Sequence, residues 1–190
     1  MDLSRAAFVG LVAGVAALRF VELRISRKNQ QKLAAQGAQK AADPRFPAMV
    51  VLHTCVLAGA VAEVLLLARP FYLPLGVCMM SLFLCANGLR WWVIRTLGTH
   101  WNVQVMDSAR LGVVTTGPYR WVRHPNYTAV FVEMLALPLI HTAWITALAG
   151  SAAHAWVLRG RVAAEERVLL ADPGYRAAMA DKPRFLPGLF

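Results

Sequence analysis

Charged residues are scarce in this chain of 190 residues, where Asp, Glu, Lys and Arg together make up 16%. An ordinary soluble domain carries roughly a quarter. Hydrophobic residues reach 58%, and the mean hydropathy is +0.49. This balance excludes an extended disordered or collagen-like chain. It predicts a single domain, residues 1–190, that is built into a membrane.

Cysteine is also scarce, with three residues in the chain. Cys55, Cys78 and Cys85 lie in apolar runs, without a CxxC pair and without a histidine at a metal-ligand spacing, so we interpret them as small packing residues and expect no metal. The histidines outside the motif described below also lack metal spacing and are predicted to be structural: His53, His100, His141 and His154.

Acidic residues number 10 against 20 basic ones. On a soluble protein this excess would indicate nucleic-acid binding. Here the basic residues crowd beside apolar runs on alternate connections, which is typical of loops that face anionic lipid on the cytoplasmic side. The bilayer, and no nucleic acid, is therefore the expected partner.

Three apolar runs are long enough to span a bilayer, at about residues 3–21, 46–68 and 72–94. No basic segment precedes the first run, so we expect it to stay as an uncleaved span. The polar stretch 22–45 is predicted to be a separate surface helix that ends near Gly37, followed by a loop. Residues 1–94 would form a three-span scaffold.

Residues 95–123 contain several Gly and Pro breakers, which predicts a non-helical crossover. Pro125 then opens a helix. The next stretch, 126–158, would measure about 50 Å as one helix, too long for an ordinary span. With a break at 139–142 it predicts a short helical hairpin, and the whole chain an all-α membrane bundle of about five transmembrane segments.

Positive charge indicates how this bundle is oriented. Only Arg5 and Arg69 fall on one side of the five-segment arrangement, and the other eighteen basic residues lie on the opposite side or near its helix ends. The positive-inside rule then places the amino terminus outside, and the first loop, the crossover and the carboxyl tail in the cytoplasm.

Two polar segments flank the hairpin: LGVVTTGPYRWVRHPNY at 111–127 and RGRVAAEER at 159–167. A hairpin returns the chain to the side it left, so the segments are expected to meet in a composite site. The first combines basic and aromatic side chains at a helix start, which suits a ligand with an anionic end and a flat ring; interfacial anchoring is the alternative. Arg161 and Glu165 share a helix face, with a solvated pair as the alternative.

Glu133 lies inside an apolar run, where an ionisable side chain is costly and is expected to face the bundle interior. Two interpretations stay open. Glu133 lines a pocket as a substrate contact, or it is protonated and hydrogen-bonded to a neighbour.

The segment GPYRWVRHPNY at 117–127, the short hairpin and the following Arg161 and Glu165–Glu166 resemble the isoprenylcysteine carboxyl methyltransferase family of integral membrane enzymes. The resemblance covers about residues 98–175. Phospholipid methyltransferases and membrane sterol reductases carry related RHP segments, so the joint match with RxxxEE carries the most weight. Stretches such as RFPAMVVLHT resemble the short bacterial members of the family.

The resemblance implies that S-adenosylmethionine is the methyl donor, bound on the cytoplasmic side, and that residues 95–190 form the cofactor-binding and catalytic region. Arg161 and Glu165 would be catalytic, with Arg161 and Glu133 contacting substrate. The implied cofactor contacts are Gln104, a strand-like Leu111, Gly112, Val113 and Val114, then Tyr119, His124, Pro125, Asn126, Tyr127 and Glu165.

The expected acceptor is an oxygen of a lipophilic or prenylated molecule, such as an alkylpyrone, an alkylresorcinol or an isoprenylcysteine. Phospholipid N-methylation, a non-catalytic binding role and an NADPH-dependent reductase are the alternatives. The expected location is a bacterial inner membrane, with the active site facing the cytoplasm.

Overall fold

The chain folds as a bundle of helices in a computed structural model that describes residues 2–187. Residue 1 and residues 188–190, included in the single-domain prediction, lie outside that range. The helices are α1 (Leu3–Ala35), α2 (Phe46–Leu66), α3 (Leu73–Leu97), α4 (Pro125–Leu139), α5 (Trp144–Leu169) and α6 (Pro173–Met179). Two short strands, β1 (Gln39–Lys40) and β2 (Met106–Asp107), complete the regular structure.

Among residues 2–187, three helices are long and apolar enough to cross a membrane: α1, α2 and α3. Large apolar side chains face outwards along the bundle, among them Leu66, Leu148 and Trp156, as expected for a lipid-facing surface. The prediction of an all-α membrane bundle is confirmed. The interpretation of the cysteines as packing residues is wrong, because the side chains of all three are exposed on the outer surface of the bundle.

The hairpin divides where its length predicted. Residues 140–143 separate α4 from α5, and Thr142 turns the chain with φ of +56°. Because α4 has 15 residues, it is about 22 Å long, which is less than the roughly 30 Å of a bilayer core. The two helices pack against each other as well as against α3 and α2, respectively.

The polar stretch after the first apolar run is not a separate surface helix. It continues α1 without a break to Ala35, and Glu22, Ser26, Asn29 and Leu33 lie buried along one face. The Asn29 side-chain amide donates to the carbonyl oxygens of Gly98, at 3.0 Å, and Trp101, at 2.7 Å. Asn29 and Ser26 therefore satisfy backbone groups of the crossover, whereas Glu22 pairs with Arg90 of α3. The local sequence pattern alone does not reveal these distant partners.

The crossover contains a strand, but not where one was expected. β2 pairs antiparallel with β1, with Gln39 opposite Asp107, and so ties the first loop to the crossover. The strand-like assignment of residues 111–114 is wrong, because a 3₁₀ turn at Ala109–Leu111 leads into irregular chain. The tail also contains α6, whose first turn is capped by the Asp172 carboxylate accepting from the Tyr175 amide.

The two largest apolar clusters of the described residues support the bundle. One, formed by α1, α2, α3 and α4, includes Phe8, Val64 and Leu137. The other lies at the end of the bundle that carries the crossover and α6, here called the polar end, and contains Trp101, Tyr119, Tyr175 and Met179, among others. The second cluster fixes the crossover and the tail against α3, so the polar segments form a defined wall.

Candidate active site

A cavity of about 580 Å³ opens at the polar end, within the size range of small-molecule sites. Its walls come from the crossover and from all six helices, with Arg90 and Leu97 contributed by α3 and Tyr175 and Met179 by α6. Most of the residues singled out from the sequence line it: Gln104, Gly112, Val113, Val114, Tyr119, His124, Asn126, Tyr127, Arg161 and Glu165. The two polar segments that flank the hairpin therefore do meet at one site.

Three predicted residues lie outside this lining. The Leu111 side chain packs against Leu33, Ala38 and Met106 in a separate small cluster. Pro125 is buried at the first turn of α4 and fixes the helix start. Glu133 faces the bundle interior beside a smaller adjoining pocket, and we do not assign it a substrate contact.

Glu165 and Tyr127 form the best-defined polar contact of the cavity. The Tyr127 hydroxyl donates to Glu165 Oε2 at 2.5 Å, and His124 Nδ1 lies 4.0 Å from Glu165 Oε1. The Glu165 side chain keeps 27% of its surface exposed, so the carboxylate can still receive a ligand. It is the one predicted catalytic carboxylate that faces the cavity.

Glu166, next in sequence, belongs to a different set of contacts. Its carboxylate lies 3.2 Å from His124 Nε2 and 3.3 Å from an Arg123 nitrogen, and it accepts from Arg184 Nη2 at 2.7 Å. These bonds hold the start of α4 to α5 and to the tail. Of these two adjacent glutamates, Glu165 therefore faces the cavity, whereas Glu166 links α5 to the start of α4 and to the tail.

The carboxyl tail binds the RHP segment, which the sequence did not indicate. The amides of Arg123 and His124 donate to the carbonyl oxygens of Pro183 and Arg184, at 2.9 and 2.8 Å. Thr128 Oγ1 donates to the Phe185 carbonyl at 3.0 Å. These two amides are therefore taken by the tail and do not remain available for a ligand anion.

Arg161 is buried and paired within the protein. Its Nη1 lies 2.5 Å from Asp43 Oδ2, and its Nη2 donates to the Val103 carbonyl at 2.9 Å. The Arg161 Nε is buried without a hydrogen-bond partner among the described residues. Asp43, from the loop before α2, had no local signal as a site residue. The pair ties that loop and the crossover to α5.

A second ionic cluster closes the inner wall of the cavity. Glu22 receives two bonds from Arg90, at 2.9 and 2.6 Å, and two from Arg19, at 2.7 and 2.8 Å. Arg19 also donates to Glu133 at 3.1 Å. Glu133 is thus hydrogen-bonded to a neighbouring side chain, as the second of the two sequence interpretations expected. The cluster therefore joins two arginines to two glutamates.

Tyr119 and Tyr175 line the cavity near its polar end. Burial, and next the charge of Glu165, raises the pKa of both phenols above the ordinary value of 10.0. Both hydroxyls are therefore neutral at physiological pH.

Gly117 allows the crossover to pass close to α3. Its φ is +55°, and a Cβ there would lie 2.6 Å from Thr96 Oγ1 of α3, so any side chain at this position would clash.

Beside this ionic cluster, the inner part of the cavity has mostly apolar walls and reaches the outer surface of the bundle. Phe20 of α1 and Val50 of α2 line it while remaining 68% and 45% exposed. Thr54 and Ala58, further along α2, also line it and are exposed. The cavity thus opens between α1 and α2 on a surface that faces lipid.

These features define a multi-pass helical membrane protein with one cavity that is polar at its loop end and apolar where it meets the lipid-facing surface. The chain belongs to the isoprenylcysteine carboxyl methyltransferase (ICMT) family, whose model matches residues 77–171. This is a family of membrane methyltransferases that generally use S-adenosylmethionine. The resemblance noted in the sequence is thereby confirmed.

Two bacterial relatives match most of the chain. The uncharacterized protein YpbQ of Bacillus subtilis (strain 168) is 32% identical over 160 residues, which cover 84% of this chain and 94% of YpbQ. An uncharacterized protein of Haemophilus influenzae is 25% identical over 158 residues, which cover 83% of this chain and 91% of that protein. The similarity therefore extends well beyond the residues that the family model matches.

Proposed function

We propose that this protein transfers a methyl group from S-adenosylmethionine to an oxygen of a lipophilic acceptor at the membrane. The observation that carries the proposal is the continuous cavity that joins the polar residues of α4 and α5 to an apolar opening on the lipid-facing surface. A water-soluble donor and a lipid-soluble acceptor need such an arrangement to meet.

The residues at the polar end fit the cofactor. Glu165 supplies a partly exposed carboxylate for a cationic amino group or a ribose hydroxyl. Asn126 Oδ1 is buried and has no hydrogen-bond partner in the described part of the chain. Tyr119 and Tyr175 offer aromatic faces for an adenine ring. Gln104 and the crossover residues 112–114 complete this wall. When bound, the cofactor supplies a methyl group on a positively charged sulfur.

The inner half of the cavity fits the acceptor. Its walls of Phe20, Leu57, Val130 and Val157 suit an alkyl or isoprenyl chain. Arg161 lies between the two halves, and its unpartnered Nε can donate to an acceptor oxygen. We propose an alkylpyrone, an alkylresorcinol or an isoprenylcysteine as the acceptor.

The contribution of the protein to the reaction is then mainly orientation and exclusion of water. Displacement at a methyl carbon requires the attacking oxygen and the departing sulfur to lie in line with that carbon. The Arg161–Asp43 pair fixes side chains beside the proposed acceptor, and the Tyr127–Glu165 hydrogen bond fixes those beside the proposed cofactor. A carboxylate acceptor needs no proton removed, whereas a phenol or enol does.

The proposed orientation puts the polar end in the cytoplasm of a bacterial cell, with the apolar opening in the inner membrane. Its support is the charge distribution, since eighteen of the basic residues lie at that end or near it. The cofactor would then reach the cavity from the compartment in which it is made.

The proposal is tested by titration calorimetry of the purified protein with S-adenosylhomocysteine, and by incubation with labelled S-adenosylmethionine and a lipid extract. Binding and a labelled O-methyl lipid are expected, and Glu165→Gln should weaken both. Arg167→Ala is the matched control, because Arg167 is exposed on the same helix. Absence of binding would reject a methyltransferase role, and a labelled N-methyl phospholipid would reject oxygen as the acceptor atom.

A further inference from the structure

Two histidines that the sequence assigned to structural roles lie together in the inner half of the cavity. His53 of α2 and His154 of α5 both line it, and their ring centroids are 5.5 Å apart with the planes at 83°. They are 101 residues apart in the chain, so only the packing of α2 against α5 brings them together. The surrounding cavity wall is mostly apolar.

The hydrogen bonds of His53 determine which of its nitrogens is available. Its Nδ1 lies 2.8 Å from the Met49 carbonyl oxygen, one helical turn earlier. A carbonyl oxygen only accepts, so Nδ1 carries the proton and Nε2 presents a lone pair. The backbone bond thus holds the ring in the tautomer and orientation of a proton acceptor.

His154 makes no side-chain hydrogen bond within residues 2–187. Its side chain is buried, with a relative exposure of 2%, and neither ring nitrogen has a partner among the described residues. Phe131 packs against the ring, with centroids 6.2 Å apart. Leaving a buried donor and acceptor unpaired is costly, so a polar group of a bound molecule is the natural partner for this imidazole.

The charged groups around the histidine pair are balanced. Arg19 of α1, Arg90 of α3 and Arg161 of α5 line the cavity with the pair. Each is matched by a carboxylate: Arg19 and Arg90 by Glu22 and Glu133, and Arg161 by Asp43. Among the described residues, this cavity wall therefore has no arginine without a carboxylate partner. The polar group of a bound molecule that best fits beside the two histidines is thus an uncharged one.

We propose that His53 accepts the proton of an acceptor hydroxyl during methyl transfer and that His154 hydrogen-bonds the same acceptor. This inference rests on the proposed function and narrows its acceptor to a hydroxylated lipophile. The hydroxyl proton passes to His53 Nε2, and the oxygen forms a bond to the methyl carbon as the carbon–sulfur bond breaks. A methyl ether, neutral S-adenosylhomocysteine and an imidazolium result, so charge and atoms balance.

The test compares His53→Gln and His154→Gln with the wild-type protein. Glutamine can still donate to the Met49 carbonyl but does not take up a proton, so the fold is expected to be retained. The matched control is His141→Gln, because His141 is also buried but lies at the opposite end of the hairpin, where it bonds Ser4. All variants should bind S-adenosylhomocysteine as the wild type does.

Two acceptors separate the roles: a pentadecyl resorcinol, whose phenol has a pKa near 10, and an S-farnesylcysteine derivative, whose carboxylate needs no base. On the resorcinol, His53→Gln should reduce turnover about 100-fold or more and remove the fall in rate that the wild type shows towards acid pH. Any turnover of the carboxylate should be unchanged. His154→Gln should weaken resorcinol binding to the S-adenosylhomocysteine complex about two- to tenfold.

The outcomes distinguish this inference from the proposed function. If the wild-type complex binds no resorcinol, or if both histidine variants bind and methylate it as the wild type does, the inference is wrong while the proposed function stands. An equal loss in His141→Gln would also overturn it, because the effect would then be structural. Failure of the wild type to bind S-adenosylhomocysteine would instead reject the proposed function.

Discussion

Removal of Arg161 is expected to affect both stability and turnover, because the side chain is part of a buried ion pair. Arg161 and Asp43 each retain about 5% of their side-chain surface and lie 2.5 Å apart. Arg161→Ala leaves the Asp43 carboxylate buried without a partner, which typically costs about 3 to 5 kcal/mol. For a chain of this size that loss lowers the melting temperature by about 6 to 20 °C.

A double-mutant cycle with Asp43→Asn measures the pair itself. Thermal unfolding in detergent should show that the double variant Asp43→Asn/Arg161→Ala is much less destabilised than the sum of the two single variants. Arg167→Ala, exposed on the same helix, should change stability by less than about 0.5 kcal/mol. If the stability losses of the two single variants sum to the loss of the double variant within about 0.5 kcal/mol, the pairing is refuted.

Turnover adds a second readout for Arg161. With the folded fraction normalised, Arg161→Ala should reduce methyl transfer sharply while leaving S-adenosylhomocysteine affinity nearly intact. The reason is that Arg161 lies between the two halves of the cavity and holds the Val103 carbonyl. Arg161→Lys should recover only part of the rate, since an ammonium group cannot reproduce the planar pair of donors. Wild-type turnover in Arg161→Ala would remove this residue from the site.

Three other perturbations test the remaining parts of the structure. Glu165→Gln should weaken S-adenosylhomocysteine binding about ten- to a hundredfold in calorimetry, the value of a lost charge-assisted bond of about 1.5 to 3 kcal/mol, and unchanged affinity would exclude Glu165 from the cofactor site. Glu22→Gln should lower thermal stability several times more than Arg27→Ala, because Glu22 is ion-paired in the bundle and Arg27 is an exposed residue of α1. Equal losses of stability would contradict a buried ionic cluster. Reporter fusions should place the amino terminus outside and the carboxyl terminus in the cytoplasm; the reverse result would overturn the orientation.

The raised pKa of Tyr119 gives a prediction for stability against pH. The unfolded phenol ionises near pH 10, whereas burial keeps the folded phenol neutral at that pH. The stabilisation of the folded state by the neutral Tyr119 phenol is therefore complete below about pH 10 and is lost as the pH rises further. Tyr119→Phe should flatten this alkaline decline in a series of thermal melts, and an equally steep decline in the variant would contradict it.

The membrane bundle and its hairpin were predictable because they depend on local, additive properties. The length of an apolar run decides whether it can span a bilayer, and the run at 126–158 was too long for one helix and returned the chain to its starting side. The same reasoning brought residues 111–127 and 159–167 to one end. The spacing of Arg161 and Glu165 also placed both on the cavity face of α5, which the structure shows.

The partners of these residues were decided only by tertiary structure. Arg161 binds Asp43, which is 118 residues away, and Glu165 and Glu166 separate because α5 presents one to the cavity and the other to α4 and the tail. Spacing along a helix determines which side chains share a face. Which distant helix meets that face depends on how the whole bundle packs, so the Arg90–Glu22 pair and the histidine pair left no signal in the sequence.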